Sequence, residues 1–324
     1  MTVIVDAFGG DNAPAAVLQG CAGAHKELGA QILLVGAREA IMHCASEHSI
    51  SLEGCKILHA PAVLKMEDDP RAAVEGTSVS VGLHALASGE GSAFVSAGST
   101  AGLVLLANGI LGCVPGAKRA AIATVIPTMR MPVVLIDSGA NLNCTPQILR
   151  QFAMMGAAYA RQVLGIQMPR AGLLNIGAEP NKGDALHRET YALLSANPQS
   201  TFEFIGNVEA REVPVGCCDV LVADGFSGNI FLKTYEGVAM ALLESLEQSG
   251  RMNTPVTIKQ TLKKLRVHMD YSQYGGAPLL GFGKVVIKAH GISNALAIRN
   301  AIRQAIACAA VDVAGSIKEA MSIL

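Results

Sequence analysis

Short β-rich apolar runs recur along this chain, and most of them end in the same kind of small polar loop. The runs fall at 3–5, 31–35, 57–59, 93–95, 133–136, 172–174, 201–205, 220–222 and 285–287. Helical stretches at 13–28, 101–111, 146–164, 185–194, 230–246 and 295–311 alternate with them. Strands separated by helices predict right-handed βαβ units and a mainly parallel sheet covered by helices in three layers, an α/β fold of Rossmann-like kind. Composition agrees. Hydrophobic residues make up 51% but aromatics only 4%, with no Trp, so Ala, Val, Leu and Ile must form the core, as suits helices on a parallel sheet. No linker, low-complexity tract or repeat interrupts the 324 residues. A single domain, 1–324, is expected, with room for two lobes around a cleft.

The loops carry the functional signal. Directly after the runs come "DAFGGD" (6–11), "SAGST" (96–100), "DSGAN" (137–141), "NIGAE" (175–179), "GNVEA" (206–210), "DGFSGN" (224–229) and "KAHGISN" (288–294). In an open α/β sheet the carboxyl ends of strands form the rim where ligands bind. Small residues admit a ligand to the backbone, and Ser, Thr or Asn can cap the next helix while its N–H groups face outward. One such loop is ordinary turn chemistry; seven of one kind predict a cleft that holds an anion.

Familiar chemistries are missing. There is no G-x-x-x-x-G-K-[ST] and no G-x-G-x-x-G, and the G-x-G at Gly89–Gly91 precedes a strand, so neither P-loop nor dinucleotide fingerprint is present. Ser227 sits in "GFSGN", which is no G-x-S-x-G elbow. The eight Cys are scattered without C-x-x-C and read as reduced thiols of a cytoplasmic protein; the eight His show no metal-ligand spacing, so no metal is expected. Net charge is −1, which argues against nucleic-acid binding. Asp6 interrupts any early apolar run, leaving no signal-peptide pattern. Residues 91–117 are uncharged and long enough to cross a bilayer, but "SAGST", Asn108, Gly109, Gly112 and Pro115 predict a strand, a polar loop and a buried helix instead.

Taken one at a time, the candidate residues have two readings. Lys182 is a solvated turn residue or a cation at a helix mouth. Asn229 is a plain N-cap or a donor in the cleft. His290 is a satisfied structural His or an active one, and Asp6, Asp137 and Asp224 tie loops together or face a ligand.

Here the ordered motifs matter. "VDAFGGDNAP", "VSAGSTAG", "IDSGANLNC", "LLNIGAEPNKG", "FIGNVEAR", "VADGFSGNIFLKTYEG", "DYSQYGGAPLLG" and "IKAHGISNALAIRNAIRQA" follow one another from about residue 4 to residue 304. In this order the chain resembles the phosphate acyltransferases of bacterial phospholipid synthesis. The resemblance implies transfer of a long-chain fatty acyl group from acyl carrier protein to inorganic phosphate, giving acyl phosphate. It also implies an isocitrate/isopropylmalate dehydrogenase-like fold, a homodimer, and no cofactor. It makes Lys182 and Asn229 the catalytic pair, Lys182 to hold phosphate or neutralise developing charge and Asn229 to donate to the oxyanion or orient phosphate. Asp6, Gly9, Gly10, Asp11, Gly98, Ser99, Thr100, Asp137, Gly139, Asn141, Asp224, Gly225, Lys288 and His290 become the substrate-binding set. The chain departs from the family pattern with Phe8 for Met, Ser99 for Asn and Ser138 for Val. In "MEDDPRAAVEGTSVS" (66–80) a usual basic cluster is reduced to Arg71. Two rivals remain: a dehydrogenase sharing the fold, which needs a nucleotide site and an acidic metal cluster, and a non-catalytic scaffold binding acyl carrier protein.

A protruding helical segment is expected at 236–272. Thr254 and Pro255 give a helix start, and Ile258, Leu262, Leu265 and Met269 form an apolar stripe beside Lys259, Lys263 and Arg266. Residues 250–269 hold five Lys/Arg and no acidic residue, which suits acyl carrier protein or peripheral contact with an anionic membrane.

Overall fold

The computed structural model describes residues 1–65, 67–69, 75–196, 201–249, 273 and 275–322. Arg71 and the stretch 250–272, with its basic and apolar stripes, lie outside the described residues. In chain order the elements are β1 (Thr2–Asp6), α1 (Ala15–Leu28), β2 (Gln31–Gly36), α2 (Arg38–Glu47), β3 (Cys55–His59), α3 (Ser78–Ala87), β4 (Ala93–Ser96) and α4 (Thr100–Ile110). Then come β5 (Ala121–Ile126), β6 (Val133–Ile136), α5 (Pro146–Leu164), β7 (Arg170–Asn175), α6 (Ala185–Ala196), β8 (Glu203–Glu209), a 3-10 turn (Ala210–Val215) and β9 (Val220–Val222). The last are α7 (Gly225–Ser249), β10 (Gly276–Leu280), β11 (Val285–Ala289), α8 (Ala295–Ala310) and α9 (Val313–Met321).

All the strands join one sheet, in the order β3-β2-β1-β4-β11-β10-β5-β6-β9-β7-β8. Its two faces are read directly from side-chain alternation. Val3 and Val5 belong to the core under α1, α5, α8 and α9, while Ile4 between them belongs to the core under α3 and α4. Val134 and Ile136 repeat the pattern against Val133 and Leu135, which meet Phe231, Leu232 and Tyr235 of α7. Helices therefore cover both faces, the three-layer α/β fold. α5 forms as its sequence dictates: Thr145 accepts from the Ile148 N–H, Pro146 opens the first turn, and Gly165 closes it with φ 73°. The uncharged stretch 91–117 resolves into β4, the Ser99-capped α4 and a loop, and no described helix is long and apolar enough to cross a membrane.

The sheet differs from the expected single rim in one decisive respect. Three antiparallel pairings occur in succession, β11–β10, β10–β5 and β5–β6. An odd number of reversals makes β6, β9, β7 and β8 run opposite to β1–β4 and β11. The loops after β1, β4 and β11 gather at one end of the sheet, here the front. Those after β6, β7 and β9 gather at the other, the rear. "GNVEA" belongs to neither: β8 runs through it to Glu209, with Gly206 at φ 95° beside a register shift against β7. The glycine reads as a loop in sequence because strands disfavour it, but an irregular ladder accepts its φ.

Candidate active site

At the front end, Asp6 is buried, with Oδ2 accepting from Ser96 Oγ at 2.7 Å and Oδ1 from the Phe8 N–H at 3.1 Å. Burial raises its carboxyl above the ordinary range, against the pull of those hydrogen bonds. Gly9 is wedged there: a Cβ would stand 2.5 Å from Asp6 Oδ2 and 2.6 Å from the Gly98 nitrogen. The Asp11 N–H donates to Gly291 O at 2.8 Å, joining the first loop, with Gly10, to the one after β11. Gly98 N–H is held by Ser96 Oγ at 3.0 Å, and Ser99 caps α4 by accepting from the Gly102 N–H. Lys288 Nζ donates to the carbonyls of Ala97, at 3.4 Å, and Ala289. An ammonium has three donors, so one is left for a ligand. Burial lowers Lys288 to about 8, opposed by Asp6 and Asp11. His290 is lowered by burial and then by Lys288 and Lys233.

At the rear end, Asp137 is a staple. Its carboxylate accepts from the main-chain N–H groups of Ile122 (2.9 Å), Gly139 (3.2 Å), Ala140 (3.1 Å) and Asn141 (2.7 Å), and from Asn141 Nδ2 at 2.9 Å. Asn141 also donates to Ala120 O at 2.8 Å. Asp224 accepts from the N–H groups of Phe226 and Ser227, both at 3.0 Å, so it caps α7. The helix starts at Gly225, earlier than the pattern predicts, and Asn229 lies inside it, not at its cap. Asn229 Nδ2 donates to Ser138 O at 2.8 Å.

The two ends meet in a cavity of about 640 Å³. Its floor is β5 and β10, with Ile122, Thr124, Val125 and Ala277; its roof is α7, with Phe226, Asn229, Ile230, Lys233 and Glu236. Thr100, Lys288 and His290 enter from the front loops, and Ser138, Gly139 and Gly225 from the rear. Thr124 and Ser138 share a hydroxyl hydrogen bond of 2.7 Å in the floor. Tyr235 donates to Pro127 O at 2.6 Å where α7 passes the end of β5. The cavity is thus long, mostly apolar, and crossed by a few aimed donors.

Of the sequence candidates, Asn229, Thr100, Gly139, Gly225, Lys288 and His290 line this cavity. Asp6, Gly9, Gly98, Ser99, Asp137, Asn141 and Asp224 support it, as their hydrogen bonds and packing show, and Gly10 and Asp11 hold the neighbouring loop. Lys182 is exposed on the loop after β7 and does not line it, although β7 lies next to β9, which leads into α7. Lys233 and Glu236 were missed. They fall at i+4 and i+7 from Asn229, a spacing that puts all three on one helix face. Burial raises the Glu236 carboxyl, and Lys233 partly offsets it.

Residues 1–315 match the family described as "Fatty acid synthesis protein". The phosphate acyltransferase of Desulforamulus reducens is 41% identical over 332 residues, covering 98% of this chain and 97% of that one. That of Caldanaerobacter subterraneus subsp. tengcongensis is 40% identical over 334 residues, covering 100% and 98%. This chain belongs to the phosphate acyltransferase family. Among solved structures, a phosphotransacetylase from Streptococcus pyogenes superposes with a TM-score of 0.64 at 18% identity, covering 98% of this chain and 94% of that one. A 4-hydroxythreonine-4-phosphate dehydrogenase from Klebsiella pneumoniae does so at 0.57 and 13%, covering 95% and 99%. Both share the fold alone, so the fold does not separate a phosphate acyltransferase from the dehydrogenase rival; the sequence relatives do.

Proposed function

We propose that this phosphate acyltransferase moves a long-chain fatty acyl group from the thioester of acyl carrier protein to inorganic phosphate. The observation that carries this is one long apolar cavity reached by a cation from the front, Lys288, and a carboxamide donor from the rear, Asn229. Phosphate sits against Lys288, His290 and the N-terminal turn of α4 at Thr100, where main-chain N–H groups favour an anion. The acyl chain lies on the apolar floor. A phosphate oxygen attacks the thioester carbonyl carbon, the C–S bond breaks, and the proton of hydrogen phosphate passes to the departing thiolate. Products are acyl phosphate and the carrier thiol. Phosphate is already a nucleophile at neutral pH, so positioning and oxyanion stabilisation do the work and no triad is required. Asn229 supplies the oxyanion donor, and Lys182, on the loop after the neighbouring strand β7, neutralises charge developing on the thioester. The working form is a homodimer. The exposed Val238, Leu242 and Leu246 on α7 support this, since they give a second copy an apolar stripe to cover.

The test is phosphate dependence. Carrier thioester should disappear only with phosphate present, and hydroxylamine should trap acyl phosphate. Equal turnover without phosphate, yielding free acid, would replace this reading with a thioesterase.

A further inference from the structure

The cavity needs a door wide enough for a thioester on a protein-borne arm. Leu142, Phe226 and Ile230 line it and are 65%, 59% and 51% exposed, so it opens to solvent at the rear end of the sheet. At the same rear end stand three loops, 112–120, 138–145 and 281–284. They are locked together: the Val114 N–H donates to Gly281 O at 2.9 Å, Asn141 Nδ2 to Ala120 O at 2.8 Å, and Arg119 Nη1 to Asn143 O at 3.4 Å. This last contact places the Arg119 guanidinium one residue from the rim at Leu142.

The charge on these loops is one-sided. They contain Lys118, Arg119 and Lys284, all exposed, and no Asp or Glu, in a chain whose net charge is −1. Other loops at the same end differ. After β7, Asp184 contacts His187 at 2.6 Å, and at the last residue of β8 Glu209 pairs with Arg211 at 2.9 Å. Acidic and basic residues mix there, whereas among the described residues no carboxylate pairs with Lys118, Arg119 or Lys284.

Resting on the acyl-carrier reading above, we infer that the acidic carrier protein docks on the rear face formed by Lys118, Arg119 and Lys284, with its acyl arm entering past Leu142, Phe226 and Ile230. The carrier's carboxylates meet three fixed cations, and the arm needs only to cross an apolar lip to reach Asn229. Such contacts act at long range, steer encounter, and weaken with salt.

The experiment is fluorescence anisotropy of labelled acyl carrier protein with the full chain and with the triple variant Lys118→Glu, Arg119→Glu, Lys284→Glu. At low salt Kd should rise about tenfold in the variant, and the difference should close as salt is added. If the triple variant does not fold, Lys284→Glu alone, on the exposed β10–β11 turn, should raise Kd about two- to threefold. Unchanged Kd in a folded variant overturns the inference. So does unchanged carrier binding with loss of flotation on phosphatidylglycerol vesicles, which would give the face to lipid. Phosphate-dependent turnover by the unaltered chain is measured separately. Its absence would sink the functional reading, while a carrier-binding result stands or falls on the docking face alone.

Discussion

Asp6 and Asp137 both end a buried strand and lead into a glycine loop, yet they hold their loops in different ways. At the front, Asp6 accepts from the Phe8 N–H and from the Ser96 hydroxyl on the neighbouring strand, and the Ser78 hydroxyl and Gly9 N–H also pull its carboxyl down. Its field also opposes the burial that lowers Lys288. At the rear, Asp137 accepts four main-chain N–H groups and a carboxamide, almost all within its own turn. The front carboxylate tunes a neighbouring cation; the rear one makes a rigid platform that presents Ser138 and Gly139 to Asn229. Similar motifs can thus serve electrostatics in one half of a molecule and backbone geometry in the other.

The largest effect should come from breaking the platform. Asp137→Ala leaves four main-chain N–H groups, two buried and two half-buried, without their acceptor, each buried one costing roughly 1–3 kcal/mol before relaxation, so a loss of about 4–5 kcal/mol is expected in urea unfolding. Asp6→Ala frees fewer main-chain N–H groups and should cost about 1–3 kcal/mol. Equal losses would dissolve the contrast between the two halves.

Next in size is the chemistry at the rear. Asn229→Ala should raise the barrier by about 2.7–4 kcal/mol, seen in kcat. Lys182→Ala should lower kcat about tenfold, as an exposed charge acting from a neighbouring loop would, and leave the KM for phosphate unchanged. A rise in that KM would move Lys182 to the phosphate and undo the division of roles.

The smallest and sharpest test is pH. Lys288, lowered to about 8 by burial, is a cation below that pH and neutral above it. In the free enzyme kcat/KM for phosphate should therefore fall as pH rises through about 8. Lys288→Arg, which stays charged, should carry the fall to higher pH. A profile that is flat to pH 9 would remove Lys288 from the phosphate site.

Much of this was legible in the residues. β1, β6 and β11 announce themselves as Val/Ile runs ending at polar loops, and α5 is bracketed by Thr145–Pro146 and Gly165. β5 and β10 did not, for physical reasons. "AIATVI" follows an Ala-rich stretch, and "GAPLL" holds glycine and proline that read as loop. Both become strands by pairing with partners far along the chain. Missing them hid the reversal of direction, and with it the division of the rim into two ends. Lys288, Asn229 and His290 could be picked out by following strands, but Asp137 and Asn141 look like ligand groups for the same reason that they make good turns: each satisfies N–H groups or carbonyls. Lys233 and Glu236 were hidden inside a helix, where charge usually means a wet face.

The reversal at β10 and β5 also sets the traffic of the reaction. Because strands finish at opposite ends of one sheet, the proposed reaction brings phosphate to the front loops and the acyl donor to the rear ones, so the two substrates do not compete for one set of loops. On that proposal both are resident together, and the acyl group passes directly to phosphate without being stored on the enzyme between visits.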